Sequence, residues 1–253
     1  MQIVFGSRLK FIYIIILCPV FAVTESIGLH YENGLEALRN NQYDLAIQEF
    51  ETILDNNWDS PELYYNLGNA FYRNGNTSGS IWAYESCLRI FPNHSDAQYN
   101  LKLANLNVKD RVDLPDPPIY LKWYMGIKER YTPSIWVNIT LFILLLLSIT
   151  ATVLRIFSDI SLNYISGIFL TLFFCSLFFT LHSIWTGNSV SQGIIYFSSI
   201  EARSEPNSFS TRLFKVHEGL KVSVNQISEN WMEIELLDGK VGWIEERQIR
   251  LIQ

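Results

Sequence analysis

Three hydrophobic periods succeed one another along the chain. Over residues 27–108, apolar and small side chains recur at three- and four-residue spacing, which predicts amphipathic helices. The pattern also repeats as a whole: Gly34, Tyr43, Ala46, Phe50, Ile53 and Leu54 return as Gly68, Thr77, Ser80, Tyr84, Cys87 and Leu88, at a constant offset of 34. Asn74-Gly75-Asn76 supplies the turn between the helices of the second unit. A third copy of the first helix, Asp96 to Asn107, repeats Tyr65-Asn66-Leu67 as Tyr99-Asn100-Leu101; it lacks a partner helix and is expected to cap the stack. Residues 134–157 and 160–185 are then apolar for long enough to cross a hydrocarbon core of ~30 Å. Only Arg155 and Asp159 sit near the turn between them, so an antiparallel membrane hairpin is predicted. Finally the period shortens to two, through Lys221–Ile227 and Trp231–Leu236, with Leu237-Asp238-Gly239-Lys240 as a hairpin turn. The predicted fold is multidomain: helical hairpin repeats, a two-helix transmembrane hairpin and a small all-β barrel over residues 194–253.

A fixed period of this length marks a solenoid of stacked helical hairpins, which present grooves to other proteins. Tyr64, Leu67, Gly68, Phe71, Ser80, Tyr84, Cys87 and Pro92 stand at the eight signature positions of the tetratricopeptide (TPR) family, which residues 27–108 resemble. Gly68 and Ser80 are small so that two helices can approach, while Leu67, Phe71 and Tyr84 fill the space between them. The first unit departs from the pattern at His30, Asn33, Ala37 and Trp58, as terminal repeats commonly do.

First-helix residues outside the core positions give the candidate groove: Tyr31, Tyr65, Asn66, Asn69, Tyr72, Arg73, Tyr99 and Asn100, together with Leu35 and Leu103. Asparagine amides bracket extended peptide backbones, and tyrosine gives contact area at small entropic cost. The resemblance also suggests a clamp for a C-terminal carboxylate, but its lysines are missing here and Glu32 would repel such a group. Asn66 and Asn100 have a second reading, as hydrogen-bond partners of neighbouring helices, and the sequence leaves both open.

Five features, in order, resemble bacterial SH3-like barrels: Ala202 to Pro206, His217-Glu218-Gly219, Asn230-Trp231, Asp238-Gly239 and Gly242-Trp243-Ile244. Trp231 is the candidate ligand contact of this barrel. Trp243 is expected in the core, because so small a barrel has little other apolar area.

The N-terminal run Phe11 to Val23, behind Arg8 and Lys10, spans only ~20 Å as a helix and reads as a secretory signal over residues 1–24. A lipoprotein signal would need small residues where Ile15, Ile16 and Leu17 precede Cys18. Residues 109–131 form a linker and juxtamembrane segment, in which Pro115, Pro117 and Pro118 favour an extended spacer holding the repeats off the bilayer. Tyr120 to Tyr131 is expected to lie on the membrane surface, and Trp123, Tyr124, Tyr131, Trp136 and Trp185 to form an interfacial belt. Lys122, Lys128 and Arg130 before the first span oppose the signal peptide on orientation. The export signal acts first, so both soluble units are expected in the periplasm, on the inner membrane.

Charge and chemistry narrow the function. Residues 25–116 carry 6 basic against 14 acidic side chains and residues 196–253 carry 7 against 9. Neither segment has the basic face that nucleic acid requires. The three cysteines, Cys18, Cys87 and Cys175, fall in the signal, a repeat core position and a membrane span, so no disulfide framework is expected. No metalloprotease, nucleophile-elbow, Cys-x-x-Cys or phosphate-loop motif occurs, and His30, His94, His182 and His217 are scattered. A non-enzymatic chain without cofactor or metal is expected. The order of all parts is similar to the TPR proteins of Bacteroides aerotolerance operons, the BatE group. That resemblance implies protein partners, namely von Willebrand A-type Bat membrane proteins and a MoxR-type ATPase. The other expected ligand, from the barrel, is peptidoglycan.

Overall fold

The computed structural model describes residues 27–110, 118–156, 160–187 and 191–252. The signal segment, the turn at Asp159 and most of the proline linker, including Pro115 and Pro117, lie outside these residues. Five helices come first: α1 over residues 27–39, α2 (Tyr43–Asp55), α3 (Pro61–Arg73), α4 (Thr77–Ile90) and α5 (Ser95–Asn105). The 34-residue offset has a direct physical basis. A Cβ on Gly34 would lie 2.5 Å from the Phe50 ring, and one on Gly68 would lie 2.6 Å from the Tyr84 ring. Each glycine thus lets an aromatic of its partner helix seat against backbone. The turn in the second unit places Gly75 at φ +80, and Asn76 caps α4 by accepting from the Gly79 N–H at 2.8 Å.

Helices α6 (Ile119–Arg130), α7 (Pro133–Ile156) and α8 (Ile160–Gly187) follow. The spans Pro133–Ile156 and Asn163–Trp185 have mean hydropathies of 2.4 and 2.0, yet only 6% and 11% of their apolar windows are buried. A core helix of a soluble protein would be covered; these two present their apolar side chains outwards. They pack antiparallel through a hydroxyl seam in which Thr140 Oγ1 and Thr180 Oγ1 lie 2.8 Å apart, as small polar residues allow between apolar helices. Trp136, expected in an interfacial belt, is instead buried and stacked on Phe179 at 4.8 Å. Tyr124 stacks on Phe179 and meets His182 Nδ1 at 3.0 Å, which holds α6 against α8. Trp123 and Trp185 remain exposed.

The strands are β1 (Ser191–Ile195), β2 (Ile200–Arg203), β3 (Arg212–Val216), β4 (Lys221–Ser228), β5 (Trp231–Glu235), β6 (Val241–Glu245) and β7 (Ile249–Leu251). They form one antiparallel sheet in the order β3-β2-β6-β5-β4-β1-β7. It curls round Ile195, Val222, Met232, Ile234 and Ile244. The β5–β6 turn places Gly239 at φ +83, where a glycine costs least. Trp243 departs from expectation. It alternates with the buried Gly242 and Ile244, so it lies half-buried on the outer face, pairing with Glu233 and Arg203. Val222, Ile234 and Ile244 already fill the interior, and the strand's period of two turns Trp243 outwards.

The barrel docks directly on the repeats. Ile194, Tyr196 and Ile252 belong to the repeat core. Trp82 of α4 donates its Nε1–H to the Leu251 carbonyl at 2.7 Å and carries the Arg250 guanidinium 3.4 Å from its ring centroid. Lys221 pairs with Glu85 at 2.8 Å, and Arg250 with Glu51 at 2.9 Å. Asp110 accepts from the His217 backbone N–H at 2.6 Å. Among the described residues, the carboxylates of these contacts, Glu51, Glu85 and Asp110, all lie N-terminal to the apolar helices and account for part of the acidity of residues 25–116. Gly219, at φ +81, brings the barrel loop against Val108 and Ile81. Helix α4 is accordingly buried nearly all round, with Ser78 to Tyr84, Ser86 and Cys87 all inaccessible, and β1 buries successive residues Ile194 and Ile195 on opposite faces. An all-round apolar helix is one covered on both sides.

Candidate functional site

With the second helices α2 and α4 carrying the barrel, the concave side of the repeats stays open. A cleft of about 630 Å³ is lined there by Leu38, Asn41, Tyr43, Tyr65, Asn69, Tyr72, Arg73, Tyr84, Asn100 and Leu103. The first helices supply most of it, because their core positions turn inwards and the residues between them face the groove. Arg73 is the one charged side chain among these lining residues.

The polar groups are organised around Asn69. Its Oδ1 accepts from the Tyr84 hydroxyl at 2.8 Å and from Asn100 Nδ2 at 2.9 Å, linking α3, α4 and α5. Burial pushes the Tyr84 phenol far above its ordinary range, which keeps it a donor. Tyr65 lies 4.7 Å from the His94 ring and 6.3 Å from Tyr84. Tyr72 and Arg73 project freely at the rim, where Asn74 bonds Asp44 at 2.8 Å. The groove therefore combines a fixed amide–phenol floor with an exposed phenol and guanidinium at its edge, a surface suited to holding an extended polypeptide.

Of the residues expected here, Tyr65, Asn69, Tyr72, Arg73 and Asn100 come together. Asn100 bonds Asn69, so the neighbouring-helix reading describes it in this structure. Asn66 donates to the Tyr31 hydroxyl at 3.0 Å, tying α3 to α1 outside the cleft. Tyr31 faces a separate pit at the other edge of the stack, and Tyr99 is 63% exposed. Leu38, Asn41 and Tyr43 were not expected in the groove: Asn41 belongs to the α1–α2 turn, and Leu38 and Tyr43 flank it at the end of α1 and the start of α2, where first-helix spacing does not point to them. Tyr84 sits at a core signature position, yet its hydroxyl reaches through to the groove.

On the barrel, Trp231 lines a pocket of about 320 Å³ with Ser199, Arg203, Lys215 and the carboxylates of Glu201 and Glu245. The carboxylates are internally matched, Glu201 with Arg212 at 2.9 Å and Glu245 with Arg247 at 2.6 Å. Among the described residues, no group of three side chains is placed to hold a metal ion. Cys87 is fully buried and its thiol is pushed up to about 12, so it carries no thiolate at neutral pH.

A tetratricopeptide repeat family model matches residues 31–101, and a bacterial SH3 domain model matches residues 199–250. The chain thus carries both modules. The apolar hairpin lies between the two matched segments. No curated protein matches the chain.

Proposed function

We propose that this chain is a membrane-anchored scaffold of a bacterial envelope complex, which holds a protein partner in its repeat groove. The observation that carries this reading is the division of the repeat surface: the barrel takes the convex side and leaves an open cleft of about 630 Å³ on the concave side. Repeat solenoids bind proteins through such concave surfaces. The two exposed apolar helices supply the anchor. With an export signal acting first, both soluble units face the periplasm from the inner membrane. The order of parts favours the Bat aerotolerance or envelope-stress system, with von Willebrand A-type membrane proteins and a MoxR-type ATPase in the same assembly. In-cell crosslinking of the full chain, purification from detergent and mass spectrometry test this directly. Recovery of von Willebrand A-type proteins, reduced by Tyr72→Ala with Arg73→Ala, is the expected result; their absence from the purified material contradicts it.

A second reading is favoured by the two tryptophans on the barrel's outer face. Trp231, with Lys215 and Arg203 alongside Glu201 and Glu245, offers an aromatic and mixed-charge surface for a peptidoglycan stem peptide. Sedimentation of the full chain with purified peptidoglycan, with and without Trp231→Ala, decides this reading. Loss of retention in the variant supports it, and no retention of either protein dismisses it.

A further inference from the structure

Trp58 is unexplained by the repeat pattern. It stands where the second unit has Pro92, yet it does not fill the core, being 48% exposed. It closes one side of a pit of about 450 Å³ at the edge of the stack where α1 and α3 begin, lined by Ile27, Tyr31, Ile53, Leu63 and the carboxyl-bearing Asp59 and Glu62. The peptide-binding cleft opens at the other edge, by the ends of α1 and α3, so the two surfaces are separate. The loop that presents Trp58 is held in place: its backbone N–H donates to the Ile53 carbonyl at 3.3 Å, Asn57 N–H to Leu54 at 2.9 Å, and Ser60 caps α3 through Leu63 N–H at 3.1 Å. A loop backbone fixed in this way presents its indole with little further backbone entropy to lose on contact, which suits an interface anchor.

Charge decides what fits. Asp59 and Glu62 make no ion pair or side-chain hydrogen bond among the described residues. Three other acids of the repeats are committed, Glu51 and Glu85 to the barrel and Glu49 to His30. The rim is thus a negative edge without an ion-pair partner among the described residues, around an apolar floor and within a segment already rich in acids. We propose that this pit is a second docking site, for a partner protein's segment in which an aliphatic or aromatic anchor stands next to lysine or arginine. The anchor packs against Trp58, Ile53 and Leu63 while the cation meets Asp59 and Glu62.

The test places a photocrosslinking benzoylphenylalanine in the full-length protein in cells, at Trp58 or at Gly28. A Cβ at Gly28 would meet nothing within 4 Å, so a probe attached there leaves Trp58 in place and starts from open space at the margin of the pit. Crosslinked segments are sequenced by mass spectrometry. Expected are segments of another protein with an apolar residue adjacent to Lys or Arg, and a fall of at least about tenfold when Asp59→Lys and Glu62→Lys are added, with crosslinks from a probe at Tyr72 in the cleft unchanged. The proposal is overturned by no crosslink from either position, by yields that ignore the charge reversal, or by crosslinks to residues 1–26 of this chain or to a second copy of it.

Discussion

The two faces of the repeat stack are built from the same helices and do opposite things. The convex face carries Ile81, Trp82, Glu51 and Glu85, and all are taken up by the barrel through one indole hydrogen bond, one cation–π contact and two ion pairs. The concave face carries tyrosines, asparagines and one arginine, and its polar groups bond one another across three helices while leaving a cleft open. Apolar surface with matched charge is consumed within the chain, whereas a satisfied but accessible phenol–amide surface is kept for something else. The barrel thereby becomes part of the scaffold, fixing α4 from behind while Tyr84 on the same helix forms the groove floor.

The largest expected effect separates the two faces. Trp82→Ala removes a fully buried indole and leaves the Leu251 carbonyl without its donor, a loss of about 3–5 kcal/mol. Thermal unfolding of the full chain in detergent is then expected to resolve a repeat transition and a barrel transition in place of a coupled one, with the cleft residues unaltered. Glu85→Lys opposes Lys221 and costs about 1 kcal/mol, because the pair is partly exposed. Adding Lys221→Glu restores the melting temperature; failure of that rescue means the pair carries no coupling.

On the other face, Tyr72→Ala with Arg73→Ala is expected to change stability by about 0.5 kcal/mol or less, since both side chains are exposed. Partner recovery after in-cell crosslinking is nevertheless expected to be reduced. Asn69 is a poorer probe: removing it strips the partner from both Tyr84 and Asn100, so lost binding and lost packing coincide.

Alkali has no effect near neutrality and a growing one above it. Burial raises the Cys87 thiol and the Tyr84, Tyr64, Tyr31 and Tyr196 phenols in the folded state. Groups whose folded pKa is raised contribute their full stability below the unfolded value and lose it as pH climbs towards the folded one. The melting temperature is expected to hold to about pH 8, where an unfolded thiol begins to ionise, and to fall from there towards pH 12 as the phenols follow. A midpoint that stays level to pH 11 contradicts this.

The elements that were legible in the sequence are those whose cause is local. Gly34 and Gly68 announce their aromatic partners because the contact recurs within one hairpin, and Asp238-Gly239 announces a turn because its backbone demands it. The barrel's docking was not legible, since Trp82 and Leu251 are 169 residues apart and no period connects them. One local trace existed: Ile81-Trp82-Ala83 makes α4 apolar beyond its signature positions, more than one buried face requires. Trp243 misled for a related reason. Residue size argued for the interior, but strand alternation assigns the face, and Gly242 and Ile244 hold the inward places. In the groove, helical spacing found Asn69 and Arg73 but passed over Asn41, in the α1–α2 turn, and Tyr43, which opens α2.

Zero-length carbodiimide crosslinking of the full-length protein, followed by peptide mass spectrometry, reads the docking of barrel on repeats. The structure predicts an intramolecular link between Glu85 and Lys221, whose charged atoms lie 2.8 Å apart, formed in native protein and lost in Trp82→Ala. The Asp238–Lys240 pair, 2.7 Å apart within one turn, is the internal control for reactivity. If the control link forms while Lys221 stays unlinked, or joins carboxylates outside the repeats, the barrel does not cover the convex face.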